Sequence, residues 1–173
     1  MKTLIVLLFA FNLAAAQTTA NASIGVTLIP IALLDLNDRT TFSLSLVAPT
    51  ESGNPLSSTN TYNGKWLNFT SAVAPGVTRR ITGELTGTIP PGINIILGLS
   101  AAAGSGSGAR GTSVASTTFT NSAQTIINGI AGAVTGDGTS NGYQLTYSLS
   151  ITDYSLLRSN SSAITIVYTI IDN

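Results

Sequence analysis

Gly142–Thr152, GYQLTYSLSIT, decides the fold class of this chain. Tyr143, Leu145, Tyr147, Leu149 and Ile151 fall on one parity, with Gln144, Thr146, Ser148, Ser150 and Thr152 on the other. That period of two is what a strand shows when its sheet is covered on one side. A partner follows closely. After the polar turn Arg158-Ser159-Asn160-Ser161-Ser162, the run Ala163–Ile171 (AITIVYTII) sets Ile164, Ile166, Tyr168 and Ile170 against Thr165, Val167, Thr169 and Ile171. Its second face is partly apolar too, which marks a central strand or one that closes an interface.

Upstream runs repeat the pattern. Thr41–Ala48 alternates Phe42, Leu44 and Leu46 against Ser43, Ser45 and Val47, and Lys65–Thr70 does so less cleanly. Gly76–Thr88 places Val77, Arg79, Ile81, Gly83 and Leu85 on one parity; Arg79 interrupts that apolar face and marks a sheet margin or a bulge. Pro90-Pro91-Gly92 punctuates the chain, Ile93–Leu99 resumes it, and Thr125–Val134 supplies a shorter strand. Ala101–Ser116 holds no large apolar residue except Val114 and reads as a flexible excursion or an exposed edge, with Thr135–Asn141 as a second surface loop. The abundance of Gly, Ser and Thr disfavours helix interiors. Seven or eight short strands separated by such turns predict an all-β fold, an immunoglobulin-like antiparallel sandwich of two sheets, ahead of a β-barrel.

The N-terminus carries an export pattern. Met1-Lys2 is followed by the apolar run Leu4–Phe11 and by Ala14-Ala15-Ala16, the small residues a signal peptidase needs. The run is far shorter than the ~20 residues that cross a bilayer as a helix. Residues 1–16 are therefore expected to be a cleaved signal peptide, leaving a secreted or cell-surface protein with no stable membrane insertion after cleavage. No Cys is present, so a lipoprotein and disulfides are both excluded, and a domain of this size buries enough surface to fold without them.

Residues 17–36 stand apart as an N-terminal strand segment, with 37–173 as the sandwich domain. Within the segment, Ile24–Leu36 (IGVTLIPIALLDL) alternates Ile24, Val26 and Leu28 until Pro30 removes a ladder donor; Ile31, Leu33, Leu34 and Leu36 continue beyond it. Two readings stay open. The first is an ordinary opening strand of its own domain. The second is a donor arm inserted into a groove on the next copy, with Ile24, Val26, Leu28, Ile31 and Leu33 as the self-assembly strand.

Composition limits the chemistry. With no His and no Cys, imidazole bases, thiol nucleophiles, Ser-His triads and His/Cys metal sites are all unavailable. Glu51, Glu84, Asp137 and Asp153 show no spacing that establishes a carboxylate pair, and Asp137 between two glycines reads as a turn residue. Asp35-Leu36-Asn37-Asp38 offers oxygen donors of the kind Ca²⁺ prefers but lacks the spaced ligands and closing Glu of an EF-hand, so it reads as an Asx-type turn. Gly104-Ser105-Gly106-Ser107-Gly108 opens no helix and is not a phosphate loop. No catalytic, cofactor-binding or metal residue is assigned, and an enzyme is not expected.

Charge points the same way. Without Lys2, six cations face seven carboxylates, a formal charge of −1, and no basic stripe exists to bind nucleic acid. Such sparse charge weakens repulsion between copies. Tyr62, Trp66 and Phe69 raise the prospect of a sugar platform, but Trp66 and Phe69 have opposite strand parity and cannot both face outward.

The succession TGELTGTIPPGINIILGLSA (82–101), QTIINGIAGAVTGDG (124–138), GYQLTYSLSITDYSLL (142–157) and AITIVYTIIDN (163–173) resembles the layout of secreted bacterial fimbrial-type, pilin-like β-sandwich surface proteins, including spore-coat-U-like domains. The resemblance implies a structural subunit of an extracellular fibre, pilus or surface coat. It further implies polymerisation by donor-strand exchange, an assembly chaperone as partner, and a contribution to cell adhesion. The chain departs from usher-assembled pilins in lacking their disulfide and in having only a short polar lead before the apolar segment. The alternative, from a different class, is a monomeric adhesin or carbohydrate-binding module without catalysis.

Overall fold

The computed structural model describes residues 19–173; the expected signal peptide, residues 1–16, lies outside them. Two antiparallel sheets face each other across one hydrophobic core, the expected all-β sandwich. The first sheet contains β1 (Ile31–Asn37), β2 (Thr61–Ala72), β4 (Ile93–Leu99), β5 (Ser107–Gly108), β7 (Ser116–Phe119), β9 (Ala133–Val134) and β10 (Tyr143–Ile151). Its order runs β5-β9-β2-β10-β4-β7, with β1 on the other edge of β2. The second sheet, in order β11-β3-β8-β6, comprises β3 (Arg79–Thr86), β6 (Thr112–Ser113), β8 (Gln124–Ile130) and β11 (Thr165–Asp172). Among the described residues eight strands have four or more residues, which is the expected number, and the rest are two-residue pairings in the Gly/Ser-rich loops.

The inward parity of β10 builds the centre. Tyr143, Leu145 and Tyr147 are buried, packed with Leu67 and Phe69 of β2 and Leu97 of β4, and faced across the sandwich by Ile81, Leu85, Ile126 and Ile127. Gly142 precedes β10 at φ 75, and any Cβ there would also collide with the Leu67 carbonyl. Arg79, the residue that interrupts an apolar face, sits at the start of β3 where the pairing with β8 shifts register. Both expectations for it hold: it is at a sheet end and beside a bulge.

The expected pairing of β10 with the strand that follows it does not form: β10 lies between β2 and β4, and β11 is the edge of the other sheet beside β3. Two expected strands also take another form. Residues 19–30 form no strand at all, and Thr41–Leu46 joins no ladder, the one nearby bridge being Val47 with Ser57. The reason for the second lies at Asp38. Its φ of 60 turns the chain out of β1, so the following residues leave the edge of β2 and cross the mouth of the core. Their side chains still alternate, with Phe42, Leu44 and Leu46 half-buried and Ser43 and Ser45 exposed. Among the described residues no helix is long and apolar enough to cross a membrane.

Candidate functional site

The N-terminal arm is the first part of the site. Ile24, Val26 and Leu28 are 84%, 78% and 90% exposed, three apolar side chains in alternation on a segment that packs on nothing. Ile31 and Leu33, the other two expected assembly residues, belong instead to β1, opposite Ala72 and Thr70 on the sheet's outer face. The expected five-residue strand is therefore divided at Pro30 into a free piece and a paired piece. Pro30 supplies no amide hydrogen to carry a ladder across.

Arg79 anchors the point of departure. It is buried, donates through Nε to Asp172 (2.6 Å), through Nη1 to Ser71 Oγ (3.2 Å) and the Ala72 carbonyl (3.2 Å), and also to the Ile31 carbonyl. One guanidinium thus ties the start of β1 to the end of β11. Its fixed fork of donors makes that multiple engagement possible.

A groove of about 1520 Å³ opens between the first sheet and the β11 edge. The floor is the inner face of the first sheet, with Leu34, Leu36, Leu67, Ile93, Ile95, Tyr147 and Leu149. One wall is 39–46. The other is the stretch from Leu157 to Tyr168, including Ile164 and Ile166.

The β11 wall is an unpaired sheet edge. The Leu85 N–H bonds the Thr120 carbonyl at 2.9 Å, away from β11, while Leu85 sits opposite Ile166. In an antiparallel ladder such a pair exchanges no hydrogen bonds, so the Ile166 backbone also points away from β3. At the far end the Asn173 N–H bonds the Thr78 carbonyl at 2.9 Å, and the register between is unbroken. Alternation therefore turns the N–H and C=O of Ile166, Tyr168 and Ile170 toward the free edge. These are the same residues whose side chains pack against the core. An edge of this kind is a ready template for another strand.

The opposite wall is clasped by Lys65. Only 2% exposed and on the parity of core residues Leu67 and Phe69, it donates to the Thr40 carbonyl (2.6 Å), lies 3.3 Å from the Asp38 carboxylate, and sits over the rings of Phe42 and Tyr62 (5.7 and 5.6 Å). Hydrogen bonds from Thr40, side chain then backbone, together with the Lys65 ammonium, hold the Asp38 carboxyl down to about 2. Phe42 stacks on Tyr62 at 4.3 Å and touches Tyr147 at 4.8 Å. Across the groove the Tyr147 and Tyr168 hydroxyls are 2.7 Å apart; burial pushes Tyr147 up to about 12 and Tyr168 well above the ordinary phenol value.

Lys65 and Arg79 are the buried cations that sequence reading undervalued. The signal was there, a lone cation on each of two apolar parities. The other candidates disperse. Asp35 pairs with Arg39 and Asn37 with Thr139, on the outer face of the first sheet, while Asp38 serves the turn and Lys65, so the three make no common cage. No cluster of three or more acidic side chains able to hold a metal occurs among the described residues. Phe69 lies in the core and Tyr62 stacks inward on Phe42, so Tyr62, Trp66 and Phe69 form no outward platform. Asn68 is buried and donates to the Asn141 carbonyl at 2.8 Å.

No protein-family model matches this chain, and neither a curated protein nor a solved structure matches it.

Proposed function

We propose that the protein is a non-catalytic structural subunit of an extracellular fibre or surface coat, whose copies join when the arm of one enters the groove of the next. The observation that carries this reading is a pair of complementary defects in one molecule. An alternating apolar segment has no sheet to pack on, and an apolar groove beside an unpaired edge has no strand to fill it. Backbone pairing along β11 would supply affinity, and pockets spaced for every second side chain would take Ile24, Val26 and Leu28. Sparse charge lowers the electrostatic cost of packing copies together. An exposed edge and an exposed arm are also what an assembly chaperone would shield before polymerisation. The resemblance of the sequence's strand layout to that of fimbrial-type surface proteins agrees with this reading, and a role in adhesion would follow from the assembled fibre.

The test is assembly of the chain from Gln17, followed by sedimentation and electron microscopy. The chain is expected to form linear oligomers, and a variant carrying Val26→Asp and Leu28→Asp is expected to stay monomeric with an unchanged Tm. A wild-type chain that remains monomeric at high concentration, or a variant that assembles equally well, defeats the proposal.

A further inference from the structure

We propose that the outer face of the first sheet carries a Ca²⁺ site, built by the carboxylates of Asp35 and Asp137 with the side-chain oxygens of Asn68 and Thr70. The site lies on the opposite face of that sheet from the groove and does not depend on the assembly reading.

The sheet supplies most of the oxygens. β2 sends Leu67 and Phe69 into the core, so Asn68 and Thr70 belong to its outer face. β1 places Asp35 directly opposite Asn68 and Leu33 opposite Thr70, while β9 sets Val134 on the other side of Thr70. The loop after β9 brings Asp137. Its start is fastened where the Phe69 N–H donates to Thr135 Oγ1 at 2.8 Å, and Asn37 Nδ2 on β1 donates to Thr139 Oγ1 at 2.7 Å. Sheet and loop together border a hollow of about 290 Å³, lined by Leu33, Asp35, Asn68, Thr70, Val134 and Asp137 among others. At about 30 Å³ per water, that is room for an ion and several of its waters.

Asn68 shows that the hollow lacks a positive partner. The residue is 4% exposed, and its Oδ1 is buried with no hydrogen-bond partner. Its Nδ2 donates to the Asn141 carbonyl at 2.8 Å, on the β10 edge of β2. The planar carboxamide therefore turns Oδ1 the other way, toward β1 and Asp35. A buried acceptor is costly unless a donor or a cation meets it, and ionised carboxylates donate nothing. Arg39 engages Oδ1 of Asp35 from the exposed side; among the described residues no hydrogen bond or ion pair engages the Asp137 carboxylate.

The donor set selects the ion. Asp35, Asp137, Asn68 and Thr70 offer hard oxygen and no nitrogen or sulfur, which disfavours transition metals. Two carboxylates balance a divalent charge. Neutral oxygens and a ligand carried on a loop suit the adaptable shell of six to eight oxygens around Ca²⁺ better than the strict octahedron of Mg²⁺.

Calcium titration tests the site. The chain from Gln17 carrying Ile24→Ser, Val26→Ser and Leu28→Ser, which is monomeric whichever way the assembly reading falls, is stripped with EDTA. It is then titrated with CaCl₂ or MgCl₂ and followed by calorimetry and by the NMR signal of the Asn68 side-chain amide. The expected result is one Ca²⁺ per chain with a Kd of about 0.1–1 mM, as in extracellular modules, and binding of Mg²⁺ about tenfold weaker or more. The Asn68 amide should shift as Ca²⁺ saturates. Asp137→Asn and Asp35→Asn should each weaken Ca²⁺ binding about tenfold while leaving the Tm in EDTA unchanged, since both side chains are at the surface. No saturable binding by about 10 mM Ca²⁺ overturns the proposal and leaves water as the partner of Asn68. Binding that survives both substitutions, or that leaves the Asn68 amide unmoved, also overturns it, by placing the ion on other carboxylates.

Discussion

β10 and the N-terminal arm carry the same alternation, apolar at every second position with small or polar residues between, and they end in opposite environments. β10 has β2 on one side and β4 on the other, and its inward side chains are buried. The arm has no neighbour on either side, and Leu28 is more exposed than any other large apolar side chain of the described residues. The difference teaches that alternation records a capacity to be half-covered by a sheet without saying which sheet provides the cover. β10 meets its cover within the chain because β2 and β4 leave a strand-wide place between them. The arm is cut off from its own sheet by Pro30 and meets no cover within the chain.

The comparison breaks most sharply on stability. Leu145→Ala in β10 is expected to cost about 3 kcal/mol of unfolding free energy, a transfer loss plus a cavity, whereas Leu28→Ala in the monomeric chain is expected to stay within about 0.5 kcal/mol. Urea denaturation of both variants checks this. Comparable losses would mean that the arm packs on its own domain in solution, and the contrast would disappear.

A smaller effect is expected where the arm departs. Arg79→Ala strips donors from Asp172, Ser71 and the carbonyls of Ile31 and Ala72, for a loss of about 2 kcal/mol. Arg79→Lys should recover less than half of it, since an ammonium lacks the planar fork that spans two elements. If thermal melts show Lys to be as good as Arg, the tie at the root of the arm is a simple charge pair.

The smallest effect concerns the groove floor. Tyr147 and Tyr168 are held neutral by burial, so each favours the fold fully below the ordinary phenol value near 10, and that contribution declines as pH rises toward about 12. Tyr168→Phe removes one hydrogen bond and one ionisable group. It should lose about 1 kcal/mol at pH 7 and be equal to wild type by about pH 11. An unchanged gap across that range would show that water reaches the pair through the open groove, in contrast to the sealed end of β10 at Tyr143.

Much of the sandwich was legible because a strand covered on one side writes its orientation into every second residue. Ile93–Leu99 is a strand with the expected bounds, and β10 and β11 fall within a residue or two of theirs. Thr41–Leu46 shows the limit of that inference: its alternation correctly predicted which side chains turn inward, but ladder pairing depends on an edge lying alongside, and the turn at Asp38 carries it away from one. Lys65 and Arg79 show another. A cation on an apolar parity looks like an error in the pattern until the carbonyls, carboxylates and rings that surround it are brought together from distant positions.

The all-β class, the inward-facing residues of the core, the lack of imidazole and thiol chemistry and the apolar alternation of Ile24, Val26 and Leu28 follow from residue order and composition, because periodicity and chemical type are local properties. The unpaired edge of β11, the groove, the Arg79 tie and the exposure of the arm follow from how the sheets meet, because each depends on residues far apart in the chain and on which hydrogen-bonding groups remain once every other strand has found a partner.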